Sequence, residues 1–262
     1  MSFYMDDNKQ HMSTDKYQEQ EAQYQFPYHH TPHFLPDGSG MRVRDLDWGF
    51  DYLACQQHAK QTIENHKPSS VLEIGCGDGA IIGAFSREIK RLVGVDLSKR
   101  AIAFASAFFP DIEFHARDAN LLSETFDAVL AVEVLEHIPD EDISSFLKVM
   151  EDRTKPGGLI YISVPSINLP LYKKHYRHYD PELLKKQIKE ADLNVEIIEA
   201  RFFRSPVFLE NFYKRLTCNR LFVGELHPLR RFIWKKIING LDQADNSTAQ
   251  HVVAVLKKND EV

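Results

Sequence analysis

Val71-Leu72-Glu73-Ile74-Gly75-Cys76-Gly77-Asp78-Gly79 is the stretch on which the fold turns. A short run rich in branched apolar residues stops on alternating glycines, and apolar residues resume at Ala80. That order reads as strand, tight turn and helix. Glycine at such a turn lets the backbone take φ > 0 and approach a ligand, while the following helix presents its first N–H groups. The third glycine comes one position earlier than in the dinucleotide fingerprint, so NAD fits poorly. No Walker lysine follows, which disfavours a nucleoside triphosphate.

The same alternation recurs outward from this stretch. Strands are expected at Val71–Ile74, Arg91–Val95, Ile112–Ala116, Phe126–Val132 and Leu159–Val164, with helices at Ala80–Glu88, Lys99–Phe109, Glu141–Met150 and Pro181–Ala191. Strands so continuously apolar are buried on both faces, which argues for a parallel sheet between helices. A helix at Trp48–Asn65 precedes them, its stripe made of Phe50, Leu53, Ala54, Ala59 and Ile63. Further strands are expected at Val195–Ala200 and His251–Leu256. The chain thus divides into a disordered polar tail (1–25), an arm and helix (26–69), a core (70–200), a helical insertion (201–248) and a last strand with its tail (249–262).

Two acids sharpen the reading. Asp96 ends Leu92-Val93-Gly94-Val95-Asp96, where a carboxylate can accept hydrogen bonds from two ribose hydroxyls. Asp118 follows the third strand and suits an adenine amino group. In order and at normal spacing, Glu73–Gly79, Val93–Ser98, Arg117–Ala119, Phe126–Pro139 and Lys155–Pro165 resemble the motifs of class I S-adenosylmethionine-dependent methyltransferases of the small-molecule, ubiquinone-pathway type. The likeness covers roughly residues 70–195. It implies an α/β fold: a seven-stranded, mostly parallel sheet with an antiparallel last strand, helices on both faces and a helical insertion before that strand. It also implies an enzyme that uses S-adenosylmethionine and releases S-adenosylhomocysteine. Glu73, Gly75, Cys76, Gly77 and Gly79 would then face the methionine part of the cofactor, Asp96 and Leu97 the ribose, and Asp118 and Ala119 the adenine, with Glu133 close by. Position 76 usually varies in such enzymes, so Cys76 is assigned no thiol chemistry. Asp78 is read as the N-cap of the next helix.

Chemistry is expected in Glu133-Val134-Leu135-Glu136-His137-Ile138-Pro139, because loops after strands form the ligand crevice of open α/β sheets. His137 is the side chain there that titrates near neutrality, hence the candidate general base for O-methylation; His178 is the second candidate. The competing reading is that Glu136 and His137 only satisfy backbone groups at the turn. Spacing admits a divalent metal on Glu133, Glu136, His137 and His178, since residues three and four apart converge in one helical turn. The Glu-x-x-Glu-His element is similar to that of small-RNA 3′-end ribose methyltransferases and ubiquinone-pathway O-methyltransferases, but the metal-free reading is favoured. His175 and Arg177, and Tyr28, His29 and His30 in the proline-rich arm, are the candidate substrate contacts; His33 lies in the same arm.

Composition bounds the partners. The chain has 262 residues, 43% hydrophobic and 27% charged, with a net charge of −6, which counts against non-specific nucleic-acid binding. Three scattered cysteines and an N-terminus without an apolar leader point to a cytoplasmic protein. A small-molecule or glycan precursor is the expected acceptor. An RNA ribose methyltransferase and a non-catalytic cofactor-binding protein are the alternatives. Residues 228–240 read as a helix with Leu229, Phe232, Ile233, Ile237 and Leu241 on one face and Arg230, Arg231, Lys235 and Lys236 beside them. Three roles stand open for it: a cap on the core or on a second copy in a homodimer, a peripheral membrane contact, or a phosphate-rich partner's site.

Overall fold

The structure, a computed structural model, describes residues 18, 49–85, 88–203, 208–217, 224, 226–240 and 248–260. The polar tail and the arm with Tyr28, His29, His30 and His33 lie outside these residues. Helix α1 (Gly49–Asn65) leads into β1 (Ser70–Ile74), α2 (Ala80–Gly83), β2 (Arg91–Asp96), α3 (Lys99–Phe108), β3 (Glu113–Ala116), β4 (Phe126–Val132), α4 (Ile143–Asp152) and β5 (Thr154–Pro165). Then follow α5 (Pro181–Glu190), β6 (Val195–Phe203), α6 (Phe208–Thr217), α7 (His227–Gly240) and β7 (His251–Lys258). The seven strands form one sheet in the order β3-β2-β1-β4-β5-β7-β6. Strand β7 runs antiparallel to both neighbours, Leu159 to Pro165 pairing with Lys257 back to His251. This is the sheet that the motif resemblance implies.

Period-two alternation explains why the strands look uniformly apolar in sequence. In β4, Ala128, Leu130 and Val132 face one core, and Val129 and Ala131 face the other. The first core takes Ala54, Cys55, Ala59 and Ile63 of α1, Ile81 and Ile82 of α2, and Ile233 and Ile237 of α7. The second takes Leu147 and Met150 of α4 with Leu184 and Ile188 of α5. The α7 helix therefore does cap the core, but two expected contacts fail: Leu53 and Phe232 are exposed.

Helix α2 is shorter than expected. Ala84 N–H bonds to Ile81 O and Phe85 N–H to Ile82 O, a three-residue spacing that tightens the backbone and ends the helix. Gly83 sits against Phe109, where a Cβ would come within 2.4 Å of the ring. Among the described residues no helix is long and apolar enough to cross a membrane.

Candidate functional site

The glycine loop leaves β1 in a left-handed conformation, with Gly75 at φ 73° and Gly77 at φ 53°. Gly75 and Cys76 N–H both donate to Val95 O, at 2.8 and 3.0 Å, which sets the loop over the end of β2. Asp96 fixes the other side: one carboxylate oxygen accepts from Gly77 N–H at 3.0 Å, the other from Ser98 N–H at 2.8 Å. The half-exposed carboxylate is thus preset at the strand end, beside half-buried Leu97. Asp118 caps the 3-10 turn Ala119–Leu121 by accepting from Asn120 N–H, and Ala119 is buried.

Two sequence assignments change here. Glu73 is buried and accepts from Ile82 N–H at 2.9 Å, so it ties the loop to α2 from inside; burial drives its pKa well up. The N-cap of α2 is Gly79, with Asp78 reaching Ala80 N–H at 3.2 Å from one position earlier. Cys76 is buried, and burial, then the nearby acids, raises its thiol pKa. Left-handed glycines over a pair of strand-end carboxylates suit a nucleoside-bearing cofactor, with Asp96 and Asp118 as hydroxyl and amino acceptors.

The two histidine segments that sequence suggested could share a crevice do meet. After β4 the chain makes a 3-10 turn at Leu135–His137, and the segment after β5 folds over it through Tyr176 N–H to Glu136 O at 2.7 Å. Arg177 makes the closure firm. Its guanidinium donates to Leu135 O and Ile138 O and pairs with Asp140 at 2.6 Å, so it is an internal clamp and not the substrate contact expected of it. His137 Nδ1 bonds Lys174 O at 3.1 Å, which assigns the proton to Nδ1 and the ring lone pair to Nε2. His178 Nδ1 bonds Leu169 O, and its Nε2 lies 2.8 Å from His175 Nδ1. Burial lowers the His178 pKa, so its Nε2 accepts from His175 and leaves the His175 lone pair also on Nε2. His178 thereby orients His175 and does not itself present a base.

Glu136, His137 and His175 are buried, with ligand atoms within 4.8 Å of one another. Glu136 Oε2 has no protein partner although buried, and burial followed by the Glu133 charge raises its pKa. This set differs from the one expected by spacing: His175 replaces His178, and Glu133 is turned away. Glu133 has φ 57°, a left-handed conformation rare for a side-chain-bearing residue. Its carboxylate reaches Ser163 Oγ, which donates at 3.3 Å, and His251 Nδ1 at 3.2 Å. His251 was not anticipated. The available signal was topological: the first residue of an antiparallel last strand lies at the sheet end where the parallel strands finish.

Burial opposes charge on both partners. At His251 the interactions with Cys55 and the Glu133 carboxylate outweigh it and hold the pKa well above 6.5; at Glu133, His251 outweighs it and the pKa falls below 4.5. A raised histidine stabilises fully below its unfolded pKa and loses that contribution as pH climbs through the folded value; the depressed carboxylate loses its own as pH falls. The stability gap between wild type and His251→Gln is therefore expected to be widest between about pH 4.5 and 6.5 and to narrow above it. Thermal melts across that range check it; a gap that widens towards alkaline pH would refute the pairing.

Residues 71–158 match the family described as a methyltransferase domain. A ubiquinone biosynthesis O-methyltransferase of Paracidovorax citrulli is 32% identical over 107 residues, 37% of this chain and 44% of that protein. One from Rhizobium rhizogenes is 37% identical over 100 residues, 36% and 40%. The chain thus matches less than half the length of these curated relatives. In fold it is similar to the N-methyltransferase NodS of Bradyrhizobium japonicum in complex with S-adenosylhomocysteine, with TM-score 0.58, 17% identity, and 93% of this chain and 98% of that chain covered. The [4+2]-cyclase SpnF is also similar, at TM-score 0.52 and 15% identity over 78% of this chain and 82% of that one. The sheet order and the strand-end glycine loop give this chain the fold that these structures share.

Proposed function

We propose that the chain is an S-adenosylmethionine-dependent O-methyltransferase of a small molecule. The observation that carries this is the juxtaposition of the Asp96-anchored glycine loop and the His137–His175 cluster, both reached from the carboxyl ends of neighbouring strands. The oxygen assignment rests on the O-methyltransferase relatives, since NodS shows the same fold serving nitrogen. When bound, S-adenosylmethionine supplies a methyl carbon on a sulfonium, already a good leaving group. The protein's share is alignment and proton removal. His137 Nε2 would take the proton of the acceptor hydroxyl, leaving its oxygen as the nucleophile towards the donor methyl. The Lys174 carbonyl, holding Nδ1–H, keeps the ring in the receiving tautomer.

The purified protein with methyl-tritiated cofactor and fractionated cell extract is expected to label a small-molecule fraction with base-stable methyl ether. His137→Gln should cut that rate roughly 100-fold or more while S-adenosylhomocysteine affinity holds. Label confined to RNA, or no label in any fraction, would overturn the reading.

The buried, unpartnered Glu136 Oε2 favours a second reading, in which Glu136, His137 and His175 hold a divalent ion that would lower a hydroxyl pKa. The histidines suit such an ion, each imidazole being oriented by a bond through its other nitrogen. Equilibrium dialysis with Mn²⁺ decides it: one ion bound by wild type and lost in His175→Ala supports the ion, while no binding leaves the metal-free base.

A further inference from the structure

The outer face of the helical insertion carries side chains that the core does not use. On α6, Phe208, Phe212 and Leu216 recur every four residues and face outward, Phe208 at 80% and Phe212 at 49% exposure. Buried Tyr213 and Thr217 mark the opposite, core-facing side. On α7 the same division holds. Ile233 and Ile237 are buried, whereas Arg231, Phe232, Lys235 and Lys236 are exposed, Phe232 at 51%. The Lys236 ammonium lies 5.8 Å from the centre of the Phe232 ring. The α7 sequence contains Arg230, Arg231, Lys235 and Lys236 and no acid, in a chain whose net charge is −6. The two helices pack on each other, so the aromatic stripe and the cations lie on adjacent helices.

We infer that this surface docks the protein on an anionic phospholipid bilayer. Exposed aromatic rings interleaved with Lys and Arg, on helices whose other sides are held by the core, match the chemistry of an in-plane interfacial contact: rings enter the acyl boundary, cations meet headgroup phosphates. A second copy of this chain fits less well, because a two-fold interface would set the α7 cations of both subunits against one another. The inference concerns binding only and stands apart from the methyl-transfer reading.

Flotation of the full-length protein with phosphatidylcholine vesicles, with and without phosphatidylglycerol, tests it. Wild type is expected to float with the anionic vesicles, to stay behind with neutral ones, and to be released by high salt. Removing two cations in Lys235→Gln/Lys236→Gln should weaken partitioning roughly thirty-fold, at about fivefold per charge. Phe208→Ser/Phe212→Ser should weaken it at least tenfold. Unchanged melting temperature and S-adenosylhomocysteine affinity show that the variants fold. No anionic flotation by wild type, or partitioning of both variants equal to wild type, overturns the proposal. So does wild type that ignores vesicles yet sediments as a dimer split by Phe208→Ser/Phe212→Ser, which would make the face a subunit interface.

Discussion

Asp96→Ala is expected to weaken S-adenosylhomocysteine binding by two to four orders of magnitude. The carboxylate has two tasks at the same place. Its oxygens accept from Gly77 and Ser98 N–H, which holds the glycine loop against β2, and the group stands at the strand end where ribose hydroxyls would lie. Hydrogen bonds to a charged group contribute about 1.5–3 kcal/mol each, and two of them give roughly 3–6 kcal/mol of affinity. The alanine also leaves Gly77 N–H without its acceptor. Calorimetric titration measures the loss, and Asp96→Asn separates the tasks. The amide keeps one acceptor oxygen but no charge, so its affinity should fall between wild type and alanine. Alanine binding within threefold of wild type would place the ribose elsewhere.

Gly75→Ala is expected to cost the fold about 2–5 kcal/mol, a large part of a typical domain's stability. At φ 73° a Cβ strains the backbone, and the added methyl would lie 2.5 Å from Val134 Cγ2. Val134 cannot yield easily, because a β-branched side chain has few χ1 choices and its neighbours Glu133 and Leu135 are fixed by Ser163 and Arg177. Cofactor affinity should therefore fall together with stability. Urea unfolding followed by circular dichroism reads the first effect and titration the second. A variant as stable as wild type would mean that the two loops are not in contact.

The sheet was legible in the sequence because strands buried on both faces are written as nearly unbroken apolar runs, and Val129–Val132 leaves little else to choose. The glycine loop, Asp96 and the meeting of His137 with the second histidine segment were legible from local order. Arg177 was not, because a guanidinium bound to carbonyls of Leu135 and Ile138 looks in sequence like one waiting for a phosphate. Helical spacing grouped Glu133 with Glu136 and His137, yet a left-handed backbone at Glu133 breaks that periodicity. Its actual partner is 118 positions away, beyond the reach of any spacing rule. Phe232 misled for a related reason: a ring outside the core has the same letter as one inside it.

The placement of β7 between β5 and β6 sets the order in which this molecule can be completed. Strands β1 to β5 can pair as they leave the ribosome, but β6 has no partner until β7 arrives, and β5 keeps an open edge. His251, the first residue of β7, supplies the long-range partner of the Glu133 carboxylate. Synthesis therefore passes through a stage in which β1 to β5 are paired, β5 and β6 have bare edges and Glu133 lacks its His251 partner. A chain interrupted there would expose unpaired strand edges and lack the His251–Glu133 contact at once, which would leave it prone to self-association.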